Sequence, residues 1–222
     1  MHSLGWDVCA TDVEPVLSTV LRPNVTANTF GPVDRIVGSE DGRGGVVECK
    51  ELDWTVTPTR WKWNDGLAIT NGLDSVDDLP KTEGIRTNTE SNLIPPFDLI
   101  ITADTLYISE LVTPLLRTLH TLARLSVPFR KNRSSSVHKT HSCPVYVCVE
   151  RRDPDLMDRA FEECKSQWGF TVERVRSAKI RKALERARQD WTAEKSAWDG
   201  IEIWKMRLPV QAGGLTADSQ PL

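Results

Sequence analysis

The 222-residue chain has no window near 18 uninterrupted apolar residues, the length a membrane-spanning helix needs, so no membrane contact is expected. It has little net charge: 28 Lys and Arg against 31 Asp and Glu leave −3. That balance speaks against bulk electrostatic binding of nucleic acid. Cysteines are few, at positions 9, 49, 143, 148 and 164. Their number is odd and their spacing fits no zinc signature, so they read as reduced thiols of an intracellular protein, cytoplasmic or nuclear. No metal site is expected. The N-terminus lacks a basic region followed by an apolar one, so no signal peptide is expected. There is no Gly-x-Ser-x-Gly elbow and no Cys/His pairing for nucleophilic hydrolysis. What remains, 39% hydrophobic and 27% charged residues, is ordinary globular composition.

The hydrophobic pattern alternates between strand and helix. Residues 6–12 are β-prone and end in Asp12. Residues 14–28 carry apolar side chains at three- and four-residue steps, with Pro15 suited to a first turn and Pro23 expected to kink or split the helix. Residues 38–45 are a loop by composition, and residues 46–54 read as a strand. Residues 55–95 are poor in aliphatics and rich in Thr, Asn, Asp, Pro and Gly, which predicts an insertion, partly mobile, pinned by Trp61 and Trp63. The run 97–103 predicts a strand buried on both faces. A helix capped by Ser109 follows over 110–125, with Leu111, Leu115, Leu119 and Leu122 on its inner face. Residues 128–142 read as a basic loop. A buried strand over 144–150, a helix over 154–167, a strand over 170–175, a charged helix over 178–195 and a strand over 200–208 complete the pattern. The order predicts one α/β domain over 1–208, mostly parallel, with helices on both sheet faces, an antiparallel C-terminal edge and a flexible tail over 209–222.

Ligands of such sheets sit beyond the carboxyl ends of the strands. Three acids fall there. Asp12 could accept hydrogen bonds from a ribose diol, or could cap the helix after it. Asp53 with Trp54 could hold an adenine by hydrogen bond and stacking, or could be a turn residue beside a core indole. Asp104 and Tyr107 occupy a short strand-to-helix connection where both polar heads could face one cleft; the alternative is a capping Asp and a packed Tyr. Each signal is weak singly, and their recurrence at successive strand ends gives them weight. Gly42-Arg-Gly44-Gly45 lacks the strand-loop-helix context of a phosphate loop and reads as a surface turn. His120, His138 and His141 do not form a metal pattern. The basic run 174–188 reads as a solvated helix face, with substrate or nucleic-acid contact the lesser alternative.

At these residues the chain resembles the family-16 class I methyltransferases, the methyltransferase-like group of S-adenosylmethionine-dependent protein lysine methyltransferases. The resemblance is carried by Val8-Cys-Ala-Thr-Asp12 with Asn24 and Asn28, by Glu51-Leu-Asp-Trp54, and by Phe97-Asp-Leu-Ile-Ile-Thr-Ala-Asp-Thr-Leu-Tyr107, with segments 145–152 and 200–205 also similar. It implies a Rossmann-like three-layer sandwich. It also implies that Asp12 holds the donor's ribose, that Asp53 and Trp54 lie at its adenine, and that Ala103 and Asp104 line its methionine end. Asp104 and Tyr107 would flank the target amine of a protein lysine. The family's first strand and glycine-rich loop should precede Asp12, where only eleven residues stand. The first strand and helix are therefore expected to be missing, and that strand would have run between those ending at Asp12 and Asp104. Three other readings compete: an inactive remnant that binds a protein partner, a small-molecule methyltransferase, and a nicotinamide-dependent oxidoreductase.

Overall fold

The computed structural model describes residues 5–29, 45–70, 93–127, 142–186 and 200–209. Residues 128–141 of the expected basic loop, with His138 and His141, the part of the expected charged helix beyond Arg186, and the tail past Pro209 lie outside the described residues. The chain divides into two compact units, Met1–Ile94 and Pro95–Leu222.

In the first unit, β1 (Val8–Asp12) and β2 (Val47–Glu51) pair in parallel, Val8 beside Val47 and Asp12 beside Glu51. Gly45, two residues ahead of β2, lies against the backbone of Trp6, where any Cβ would collide with the Trp6 carbonyl. This glycine is needed for close approach, and Gly42 to Gly44 lie outside the described residues. Asp7 accepts from the Val46 amide at 2.8 Å and fixes the same register. After β1 the chain turns into a π-helical stretch, Leu17–Leu21, that runs directly into α1 (Arg22–Thr29). Pro23 therefore does not split the helix. Proline has no N–H and its ring crowds the carbonyl four residues back, and one widened turn ahead of it absorbs both, with the Arg22 amide bonded to the Leu17 carbonyl. Leu17 is the fully buried residue of this turn.

Part of the expected insertion is folded. Residues 55–70 make a 3₁₀ turn at Pro58–Arg60 and return to β2. Ile69 exchanges bonds with Lys62 and Glu51, and Ala68 bridges to Glu51. Ile69 and Thr70 are buried. Trp61 and Trp63 meet edge to face at 6.0 Å. Residues 71–92 lie outside the described set. At Leu93, Glu48 accepts the backbone N–H at 2.8 Å and Lys50 donates to the carbonyl at 3.5 Å. Lys50 is fully buried and its charge is met by Glu48 at 3.3 Å, as burial of an ammonium requires.

The second unit is a four-stranded sheet in the order β3-β4-β6-β5. β3 (Ile100–Ala103) and β4 (Val145–Glu150) are parallel, and β6 (Ile201–Arg207) is antiparallel to both β4 and β5 (Thr171–Arg174). The expected antiparallel C-terminal edge is present. Val145, Val147, Val149 and Met206 are buried on one face. There α3 (Pro154–Ser166) stacks Phe161 on Trp204 at 4.2 Å and sets Cys164 Sγ 3.4 Å from Met206 Sδ. α2 (Ser109–Leu125) packs against α3 and β3, burying Val112, Leu115, Leu116, Leu119 and Leu122.

Two expectations fail here. β3 is not buried on both faces: Ile101 is 53% exposed. α3 covers the Val145 side, and among the described residues the opposite side carries the half-buried Tyr146, Cys148 and Ile203. Ser109 is not the cap of α2. The cap position is Ile108, and the Ser109 hydroxyl turns to the Glu110 carboxylate. Asp153 does cap α3, accepting from the Leu156 amide at 2.9 Å.

A buried carboxylate ties the unit together. Glu202 on β6 receives Arg151 at 3.4 Å, Arg174 at 3.0 Å and the Trp204 indole N–H at 2.9 Å. α4 (Ser177–Arg186) exposes Lys179, Arg181, Lys182 and Arg186 to solvent. No described helix is long and apolar enough to cross a membrane.

Candidate active site

Each unit ends its parallel pair in acids. In the first unit, parallel pairing brings the carboxyl ends of β1 and β2 side by side, with the Leu52 amide bonded to the Asp12 carbonyl at 3.0 Å. Asp12 Oδ1 accepts the Val13 amide at 2.8 Å. The helix beyond starts later, at a Val16 cap with no side-chain bond. Asp12 is thus not a helix cap, and its carboxylate makes no further bond among the described residues. Asp53 follows β2, and its amide donates to Thr70 Oγ1 at 2.8 Å. Its Oδ1 accepts both the amide and the hydroxyl of Thr55, at 2.8 and 2.7 Å. Asp53 therefore has the turn role that was one of its two readings, with one carboxylate oxygen committed to it. Trp54 is half-buried beside it.

Two residues that the motif reading did not single out charge this rim. Glu51 sits across from Asp12, and burial first, then Glu14 and Asp53, push its carboxyl up, while Arg22 opposes them. Arg22 reaches from α1 to Glu14 at 3.4 Å. The signal in the sequence was Glu51 directly ahead of Leu-Asp-Trp; that Arg22 comes back over the strand ends depends on the π turn, which no periodicity reveals.

In the second unit, Asp104 leaves β3 with φ +52° and is the one non-glycine residue with positive φ among the described residues. Aspartate tolerates this left-handed conformation better than most residues, at a cost. Its amide is held by the Cys148 carbonyl at 2.9 Å. Since α2 begins at Ser109 with Ile108 as its cap, Asp104 caps nothing. Thr102 Oγ1 donates to Thr105 Oγ1 at 3.0 Å and braces the turn. Leu106 points inward, whereas Tyr107 is 61% exposed and not a packed core tyrosine. Ala103, exposed at the tip of β3, lies beside Cys148. The Asp104 charge and, more strongly, burial raise the Cys148 thiol. Glu150 and Arg152, also unremarked in the motif reading, adjoin this tip as an ion pair with Nε to Oε2 at 2.7 Å.

The structure thus gathers Asp12, Asp53 and Trp54 at one pair of strand ends, and Ala103, Asp104 and Tyr107 at another. His120 lies apart, 5.3 Å from Trp168 and 6.0 Å from Phe170. No cluster of metal ligands occurs among the described residues. No family model matches the chain, and no curated protein matches it either.

Proposed function

We propose that the chain is an S-adenosylmethionine-dependent methyltransferase acting on the side-chain amine of a protein lysine, built on the class I three-layer plan. The observation that carries this is Asp104. An acid is kept in a costly backbone conformation at the tip of a parallel strand, with no capping duty and an exposed tyrosine three residues on. Strain of this kind persists where the surroundings enforce it, and functional sites are where it collects.

The residues present suit the donor. Asp12 has carboxylate capacity left after its single bond to Val13, as a ribose diol requires. Asp53 keeps its second oxygen for the adenine amine, with the Trp54 indole next to it in the chain. The donor would supply an electrophilic methyl on a sulfonium. The chain's task is then to present an uncharged amine in line with it. A lysine amine has a reference pKa of about 10.4 and must lose a proton first. Asp104 orients the amine by accepting a hydrogen bond from its N–H, and the Tyr107 oxygen accepts a second N–H or holds the water that takes the ammonium proton to solvent.

Titration calorimetry with S-adenosylmethionine tests the donor half. The intact chain should bind, and Asp12→Ala should weaken binding roughly ten- to a hundredfold, the worth of hydrogen bonds to a charged group. Unaltered affinity would remove Asp12 from the donor site. With tritiated donor and lysine peptides, Asp104→Ala should cut transfer by about a hundredfold or more while leaving donor affinity intact.

A further inference from the structure

The acid that faces the amine does not stand alone. β3 and β4 run in parallel with Ala103 beside Cys148, and the Asp104 amide is bonded to the Cys148 carbonyl. Side chains alternate along a strand, so Cys148 and Glu150 point to the same side of β4. The Cys148 thiol lies within the field of Asp104, and Glu150 is the next charged residue of β4 on that side. Arg152 turns back over this tip: its amide donates to the Glu150 carbonyl at 2.8 Å, and its guanidinium grips the Glu150 carboxylate. It is 70% exposed and carries no packing load. Its neighbour Arg151 has a different duty, bound to Asp158 and Glu202. The charged and titratable groups at this tip are therefore Asp104 and Tyr107 from the β3–α2 turn, and Cys148, Glu150 and Arg152 from β4 and its extension.

We propose that Arg152 is a positioning residue of the acceptor site, which offsets one of the two carboxylates there so that the incoming amine sheds its proton. This inference rests on the methyltransferase reading. Two carboxylates at one tip would attract a lysine strongly but would hold it as the ammonium, which has no lone pair to attack a methyl. One guanidinium, paired to Glu150 and within the field of Asp104, leaves a single net negative charge. That is enough to draw a cation in and too little to keep it charged. Arginine suits the task because it stays protonated at every working pH.

The test is the pH profile of methyl transfer, with tritiated S-adenosylmethionine and a pool of lysine-containing peptides. Rates should rise with pH as the bound amine deprotonates. Arg152→Gln should move that rise about one pH unit upward, the scale of one like charge at short range in a partly solvated site. Arg152→Lys, which keeps the charge, should restore the profile. Glu150→Gln should move it downward, and circular dichroism of each variant should match the parent. Superimposable profiles for the parent and Arg152→Gln would overturn the inference while leaving the methyltransferase reading intact. Absence of both donor binding and transfer in the parent chain would overturn the two together.

Discussion

At Asp104 the backbone and the charge make opposite demands. The left-handed conformation costs an ordinary residue about 1–2 kcal/mol, and glycine pays none of it. Asp104→Gly should therefore leave the fold as stable as the parent or up to about 1 kcal/mol more stable in urea unfolding, while methyl transfer is lost. A substitution that helps the fold and ends the chemistry is the mark of a residue retained for function; a clear loss of stability would assign Asp104 a structural role instead. His120 gives a second residue-scale outcome. Burial first, then Arg124, lowers its pKa from 6.5. The folded chain thus disfavours the imidazolium, whereas the unfolded chain accepts it near the ordinary value. Its contribution to stability is present above about pH 6.5 and is lost as pH falls through the lowered folded value. In His120→Phe, which keeps a ring against Trp168 and Phe170, unfolding between pH 7 and 5 should depend less on pH than in the parent; equal slopes would reject the assignment. The thiols titrate out of reach: burial lifts Cys9 and Cys143 to about 11 and Cys164 to about 12, so all three should alkylate slowly in the native state.

At the scale of elements, Glu202 joins four parts of the second unit: Arg151 beyond β4, Arg174 at the end of β5, Trp204 on β6 and, through Arg151, Asp158 on α3. Glu202→Ala should cost about 2 kcal/mol in urea unfolding. That is less than a fully buried pair would lose, because both arginines reach solvent. An unchanged midpoint would show the network to be dispensable. Much of this level was legible in advance. The six strands and the helices fall close to the segments that hydrophobic spacing marked, and the antiparallel pairing of β5 with β6 followed from their closeness in the chain. What was not legible has physical causes. The apolar run 97–103 carries no record of which of its sides finds a helix, so the bare face of Ile101 was hidden. Ser109 looked like a cap because the residue type is right, but the turn held by Asp104 and Thr105 starts the helix one residue earlier. Pro23 signals a disturbance without saying that a π turn will absorb it. In the site, acids at strand ends were readable as positions, but their free or committed oxygens were not, since these depend on Val13 and Thr55 amides placed by the fold.

For the whole molecule, donor binding and stability should be linked. A ligand that binds only the folded chain stabilises it by about 2.7 kcal/mol at a hundred times its dissociation constant. S-adenosylmethionine at that excess should raise the melting temperature, and Asp12→Ala should show a smaller rise at the same concentration. No rise in the parent would count against a donor site anywhere in the chain. The two rims of the four-stranded sheet also differ in how they meet other molecules. β5 closes one rim with Thr171, Glu173 and Arg174, hydrophilic groups that repel a stray strand. β3 leaves the other rim, among the described residues, with hydrogen-bonding capacity unspent and Ile101 standing out beside it. Such a margin is adhesive in one direction only, so concentrated solutions of this protein should gather through that rim, and a lysine at position 101 should keep them clear.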